Sequence, residues 1–156
     1  MTSISLTPAE SELFPKNLQK GSEFDELPKL GKMLFFDVRL SGDVSTSCAS
    51  CHNPRFGWGD GQELSRGYPG TQHWRNSQTV VNAAYLGQFF WGGEKTSLES
   101  QADSAITGNL AGNADPITIE ERLAQVPEYV QLFKEAFGVG YPNYDLALKA
   151  LAAFER

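Results

Sequence analysis

The sequence predicts an all-α fold with long irregular connections. Apolar residues recur at helical spacing toward both ends of the chain, and strand-type alternation is scarce. Nine of the 15 glycines fall between Gly42 and Gly93, which makes the middle of the chain loop-rich. In chain order, Phe24 to Phe36 reads as a helix with Leu27, Leu30, Leu34 and Phe35 on its apolar side. Pro28 is placed in about its first turn, where a missing N–H costs little. Ser47 to Asn53 forms one short helix, and a second short one is expected near Thr79 to Leu86. Ser97 caps a helix over Leu98 to Thr107. Asp115 and Pro116 open a new segment, with Thr118 to Glu121 (TIEE) as a start resembling a capping box. Pro127 begins the next helix, which carries Tyr129, Val130, Phe133 and Phe137 on one face and stops at Gly138. Asn143 caps the last, Tyr144 to Arg156, with Leu146, Leu148, Leu151 and Phe154 apolar.

A chain of 156 residues suits one domain, and with 40% hydrophobic residues it can bury a real core. The formal net charge of −6 argues against a nucleic-acid partner, for which a basic patch is expected. No apolar run approaches the roughly 20 residues of a membrane span. No basic region followed by an apolar one opens the chain, so no secretory leader is visible. Met1 to Ser5 fits a mature form with an added methionine or a cytoplasmic protein equally well.

The chemistry concentrates in Ser45 to Gly61 (STSCASCHNPRFGWGDG), which holds both cysteines and one of the two histidines. Cys48-Ala-Ser-Cys51-His52 fits C-x-x-C-H, the attachment sequence of c-type haem. A two-residue spacer on a helical turn lets both thiols reach the vinyl groups at one porphyrin edge, and the next residue projects beneath the ring to bind iron. Other readings explain less of the pattern. A redox dithiol is expected after a strand in a βαβ unit, and none is predicted. A zinc site needs four ligands, and the adjacent Cys51 and His52 would make an awkward pair with a distant His73. A disulfide leaves His52 unexplained. A large apolar cofactor also accounts for the long loops, which can pack on it as on a core.

The flanks carry further motifs in order. These are Leu30 to Ser41 (LGKMLFFDVRLS), Ser47 to Pro54, Asp60-Gly61, Arg75 to Ser77, Asn82 to Tyr85, Phe90-Trp91, Ser97 to Gln101 and Ala150 to Arg156. Together they resemble the N-terminal haem domain of bacterial dihaem cytochrome c peroxidases and MauG-like proteins, over essentially the whole chain. The resemblance implies a cytochrome c-like domain spanning 1–156 with one covalent haem c; the second haem domain usual in the family is either a separate chain, removed, or not used. It implies thioether links at Cys48 and Cys51 and His52 as the proximal ligand of a peroxide-reacting haem. Arg75 and Asn76 match an Arg-Asn step whose asparagine helps bind calcium. Trp91 matches a tryptophan lying between the two haems, and Gln101 a glutamine on the peroxide-binding side.

Several positions depart from the family pattern. Ala111 stands where the family places its acid/base glutamate, the group that moves a proton between peroxide oxygens; Asp103 and Asp115 are candidate substitutes. Tyr68 stands where a histidine ligates the resting iron. Tyr68 and His73 are therefore the candidate sixth ligands. Met33, a weaker candidate, is expected in the core. Gln78 replaces a proline, and Gly92-Gly-Glu94 replaces Asp-Gly-Arg, which removes a positive charge. The primary expectation is haem redox chemistry with hydrogen peroxide, fed by an electron donor or second-haem partner. The alternatives are a single-haem electron-transfer cytochrome and an accessory subunit that docks another cytochrome. Covalent haem is attached outside the bacterial cytoplasmic membrane, so a periplasmic location is expected.

Overall fold

The computed structural model describes residues 22–156, with side chains from Glu26 onward. The reading of Met1 to Ser5 and the first part of the expected 1–156 domain lie outside them. Among the described residues the regular structure is helical, and pairing of strand type is confined to isolated bridges: Asn53 with Gly59, Arg66 with Gln72 and Phe89 with Lys95. The helices are α1 (Ser22–Phe36), α2 (Cys48–Cys51), α3 (Leu98–Thr107), α4 (Pro116–Ala124), α5 (Pro127–Phe137) and α6 (Tyr144–Glu155), with short 3₁₀ turns at Val38–Leu40, Pro54–Phe56 and Ala83–Tyr85.

Helix α1 packs chiefly on α6 and also on α5, and α6 in turn packs on α3. Leu30, Leu34 and Phe35 of α1 and Ala150 and Leu151 of α6 are fully buried at this seam. Gly31 sits at the α1–α6 crossing, where a Cβ would run into the carbonyl oxygen of Ala150 and the Cβ of Phe154. Glycine there lets the two backbones approach as closely as they do. Helix α5 contributes Tyr129, Leu132 and Phe133. The apolar stripe thus runs through Leu132, on the other side of Tyr129 from the expected Val130, which is only half-buried.

Local signals set several helix ends. The Ser97 side chain accepts from the Ser100 N–H, and Asn143 accepts from the Leu146 N–H, each taking up one orphan donor of the first turn. Gly138 stops α5 with φ +71°, the left-handed conformation a glycine adopts without a Cβ clash. Three expectations are corrected. Helix α1 begins at Ser22, so Pro28 lies in its second turn, inside the helix. Helix α4 begins at Pro116, because Asp115 rather than Thr118 is the cap, its carboxylate accepting from the Thr118 N–H. The expected helix over Thr79 to Leu86 shrinks to the turn Ala83–Tyr85, entered through Asn82 in a left-handed conformation.

A polar clamp ties the chain leading into the cysteine motif to this platform. Arg122 of α4 donates to the carbonyls of Ser41 (2.6 Å), Gly42 (2.8 Å) and Arg39 (3.3 Å). Tyr129 of α5 donates to Asp37 at 2.6 Å, and Asp37 pairs with Arg39 at 2.7 Å. Burial pushes the Tyr129 phenol well above its ordinary pKa, and the Asp37 carboxylate adds to the shift.

Candidate haem site

Ser47 opens α2, and its N–H donates to Ser50 Oγ at 2.9 Å, so the second spacer residue of the motif closes the turn. The His52 N–H donates to the Cys48 carbonyl at 2.9 Å. One helical turn therefore carries Cys48 and Cys51 at a spacing of three, which places them on one face, with His52 directly after. Both cysteines are free and half-buried. Burial pushes the Cys48 thiol up to about 12, with the Glu155 carboxylate of α6 adding to the shift. Burial also raises Cys51, against a hydrogen bond from Ser77. Both are thus neutral thiols at neutral pH, unlike the low-pKa thiolates of redox dithiols.

The His52 imidazole is held by its Nδ1, 3.3 Å from the Trp58 carbonyl. A carbonyl only accepts, so Nδ1 carries the proton in this bond and the metal-binding lone pair falls to Nε2, with the Gln78 backbone also acting on the ring. Burial lowers the pKa of the ring, which favours this neutral form. Trp58 delivers its carbonyl from a left-handed backbone with φ +64°, an uncommon conformation for so bulky a residue. Packing on Phe35, Phe36 and Phe154, with ring centroids 5.8, 6.3 and 6.0 Å away, holds it there. The Phe35 ring lies 6.3 Å from that of His52.

The residues fit a covalent haem. Two thiols on one face precede an imidazole anchored through its Nδ1. One oxygen of the buried Asp60, Oδ2, has no partner. Around the motif the long loop exposes Phe56, Trp74, Tyr85, Leu86 and Trp91, more apolar surface than a closed domain needs to show. The zinc reading gains nothing here, since no three His, Cys, Asp or Glu gather to hold a metal ion among the described residues.

The other candidate residues divide into groups. Trp91 is 55% exposed, and its Nε1 donates to the Asn76 carbonyl at 2.9 Å, which joins two of them. The Asn76 side chain donates through Nδ2 to the Gln62 carbonyl, leaving Oδ1 available as an oxygen ligand. Arg75 is exposed, and its N–H donates to His73 Nδ1 at 3.2 Å. That bond occupies the Nδ1 lone pair, so Nε2 of neutral His73 carries the proton and is not poised to bind iron. Tyr68 is half-buried, and its N–H donates to the Leu110 carbonyl at 3.0 Å. The loop of Tyr68 is thereby docked beside Ala111, the other principal departure. Gln101 lies half-buried on α3. Met33 is not core: it is 41% exposed and lines a groove with Pro127, Glu128 and Leu132 of α5. It sits two residues, roughly 200° of helix, from Phe35 on the His52 side. Asp103 accepts from the Tyr144 hydroxyl at 3.0 Å, and Asp115 is consumed as a helix cap, so both carboxylates already have partners.

Neither Trp58 nor Asp60 is marked in the sequence: a backbone carbonyl has no sequence signature, and Asp60 belongs only to a matched dipeptide.

The di-haem cytochrome c peroxidase family profile matches residues 25–156. The chain belongs to this family. It is 58% identical over 127 residues to cytochrome-c peroxidase IdrP1 of Denitromonas iodatirespirans, covering 81% of this chain and 34% of that protein. It is 43% identical to the methylamine utilization protein MauG of Methylorubrum extorquens, covering 81% and 36%. Against cytochrome c551 peroxidase of Pseudomonas aeruginosa the identity is 38%, covering 80% and 38%. The fold superposes on a MauG-like protein associated with microbial copper homeostasis with a TM-score of 0.80 at 27% identity, covering 91% of this chain and 42% of that one. The diheme peroxidase BthA from Burkholderia thailandensis shares the fold, with a TM-score of 0.70 at 21% identity, covering 83% and 38%. The chain spans about a third of the length of these curated relatives. Membership makes this an all-α c-type haem protein of a peroxidase family. Among the described residues no helix is long and apolar enough to cross a membrane.

Proposed function

We propose that residues 1–156 form one haem domain of a periplasmic dihaem peroxidase-like oxidoreductase. It carries one haem c on Cys48 and Cys51, with His52 as the axial ligand. The observation that carries this is the His52 ring, its Nδ1 held by the Trp58 carbonyl, one residue after two thiols on a single helical turn. When bound, haem c would supply an iron that exchanges electrons and reacts with hydrogen peroxide. His52 would hold the iron, and its Nδ1–H bond to the Trp58 carbonyl raises the basicity of the imidazole. Gln101 orients the oxidant. Trp91, pinned to Asn76, lines the electron route from a donor protein or second haem. Arg75 adds a positive charge near that route, and Asn76 Oδ1 offers one ligand to a calcium ion.

One observation favours a second reading, an electron-transfer domain without peroxidase turnover. Asp103 and Asp115 each already accept a structural hydrogen bond, and Ala111 has no acid/base group. In that reading the iron is sealed, with Tyr68 ahead of His73 as the ligand because the His73 Nδ1 lone pair is already used.

The test is the visible spectrum of the ferric haem-loaded protein before and after one equivalent of hydrogen peroxide. A high-spin spectrum that changes on addition is expected from the peroxidase reading. A low-spin spectrum indifferent to peroxide would overturn it in favour of electron transfer, and Tyr68→Phe would then open the iron.

A further inference from the structure

Asp60 is a buried acidic residue that takes no part in holding the haem. It is only 7% exposed. Its Oδ1 accepts the Gln62 N–H at 3.1 Å, and its Oδ2 is shut off from solvent with no partner. The turn that follows the motif fixes its place. The Asn53 N–H donates to the Gly59 carbonyl at 2.8 Å, which pairs the residue after His52 with the residue before Asp60. The Trp58 carbonyl, two residues before Asp60, holds the His52 ring. A short loop thus returns Asp60 toward the turn that carries Cys51 and His52. Its negative charge acts on both, adding to the burial shift of Cys51 and partly opposing that of His52. Arg66 is the cation acting on Cys51, but it is exposed and screened by water. A buried, half-satisfied carboxylate in this position is costly to the fold, which is a reason to look for a function.

We propose that Asp60 tunes the haem iron, its buried negative charge favouring the ferric over the ferrous state through the His52 side of the ring. The inference rests on the haem attachment proposed above. Adding one electron lowers the positive charge on the iron, so a fixed anion nearby stabilises the oxidised form more. Even at a separation of about 12 Å and an effective permittivity of about 20, a unit charge changes this equilibrium about tenfold. Removing the charge should therefore shift the ferric-to-ferrous ratio at a fixed potential about tenfold toward ferrous, or about 59 mV for one electron.

The experiment is a spectroelectrochemical titration of the haem-loaded full-length protein with Asp60→Asn, Asp60→Ser and Asp60→Glu. Asp60→Asn keeps the volume and loses the charge, Asp60→Ser loses both, and Asp60→Glu keeps the charge. The expected result is a higher midpoint for the haem on His52 in whichever neutral variant folds, with Asp60→Glu staying near wild type. An unchanged midpoint in either neutral variant overturns the proposal, as does an equal rise in Asp60→Glu. A haemochrome assay of the wild type separates this failure from failure of the underlying reading. Covalent haem with an unmoved potential condemns only the role of Asp60, whereas absence of covalent haem condemns the attachment itself.

Discussion

Glu155 shows how burial converts one side chain into a pH dependence. It lies on the last turn of α6, and burial raises its carboxyl from the ordinary 4.5 to about 7, with Arg156 opposing the shift and Glu99 adding to it. The folded state therefore binds its proton more tightly than the unfolded state. Below about pH 4.5 both states are protonated and nothing is lost. As pH rises from about 4.5 to 7 the unfolded chain releases the proton first, so stability falls, and above about 7 the full cost persists. Glu155→Gln should remove this loss. In urea unfolding of the haem-loaded protein, the variant should match wild type near pH 4.5 and exceed it by a margin that grows up to about pH 7. A margin independent of pH would show that the effect is not one of ionisation.

At the scale of elements, the α1–α6 seam is the part of the fold least able to absorb change. The Ala150 carbonyl and the Phe154 Cβ occupy the space a methyl at Gly31 would need. Alanine favours a helix over glycine by about 1 kcal/mol, but a clash with backbone forces the helices apart, and overpacking of this kind costs about 1–3 kcal/mol. The clash dominates because a carbonyl in a helix cannot rotate away. Gly31→Ala should lower the midpoint of thermal unfolding by several degrees, followed by helical circular dichroism. A midpoint equal to or above wild type would mean that the seam is looser than its geometry. The same seam carries Phe35 and Phe154 to Trp58, so loosening it also weakens the hold on the carbonyl that orients His52.

The whole molecule divides into a helical platform and a loop-built shell. The platform of α1, α3, α4, α5 and α6 buries nearly all of the large apolar core. The shell from Pro54 to Gly93 is held by scattered bonds, such as Ser65 Oγ to Ser77 Oγ at 2.6 Å and Thr79 Oγ1 to the Gly57 carbonyl at 2.6 Å, and it leaves aromatic side chains exposed. Regions with few buried apolar contacts open first. The double variant Cys48→Ser, Cys51→Ser, which cannot attach haem covalently, should keep most of its helical signal. Its shell should be cut by thermolysin roughly tenfold faster or more than in the haem-loaded protein. Equal cleavage rates would show that the loop bonds alone hold the shell.

The sequence by itself determined what is local. Ser97, Asn143 and Gly138 marked helix ends correctly because a cap acts within one turn of its own residue. The spacing in Cys48-Ala-Ser-Cys51-His52 was legible because a single helical turn suffices to align the three side chains. Pro28, Thr118 and Met33 were misplaced. Each was judged by local pattern, while the extent of α1, the bond from the Thr118 N–H to Asp115 and the face α1 turns to α5 set their surroundings. The tertiary structure alone decided which nitrogen of His52 the Trp58 carbonyl holds, that Asp103 is taken by Tyr144 forty-one positions away, and that Asp60 is buried beside the motif. These depend on carbonyls and carboxylates brought together across loops, and the periodicity of side chains carries no record of where a loop returns.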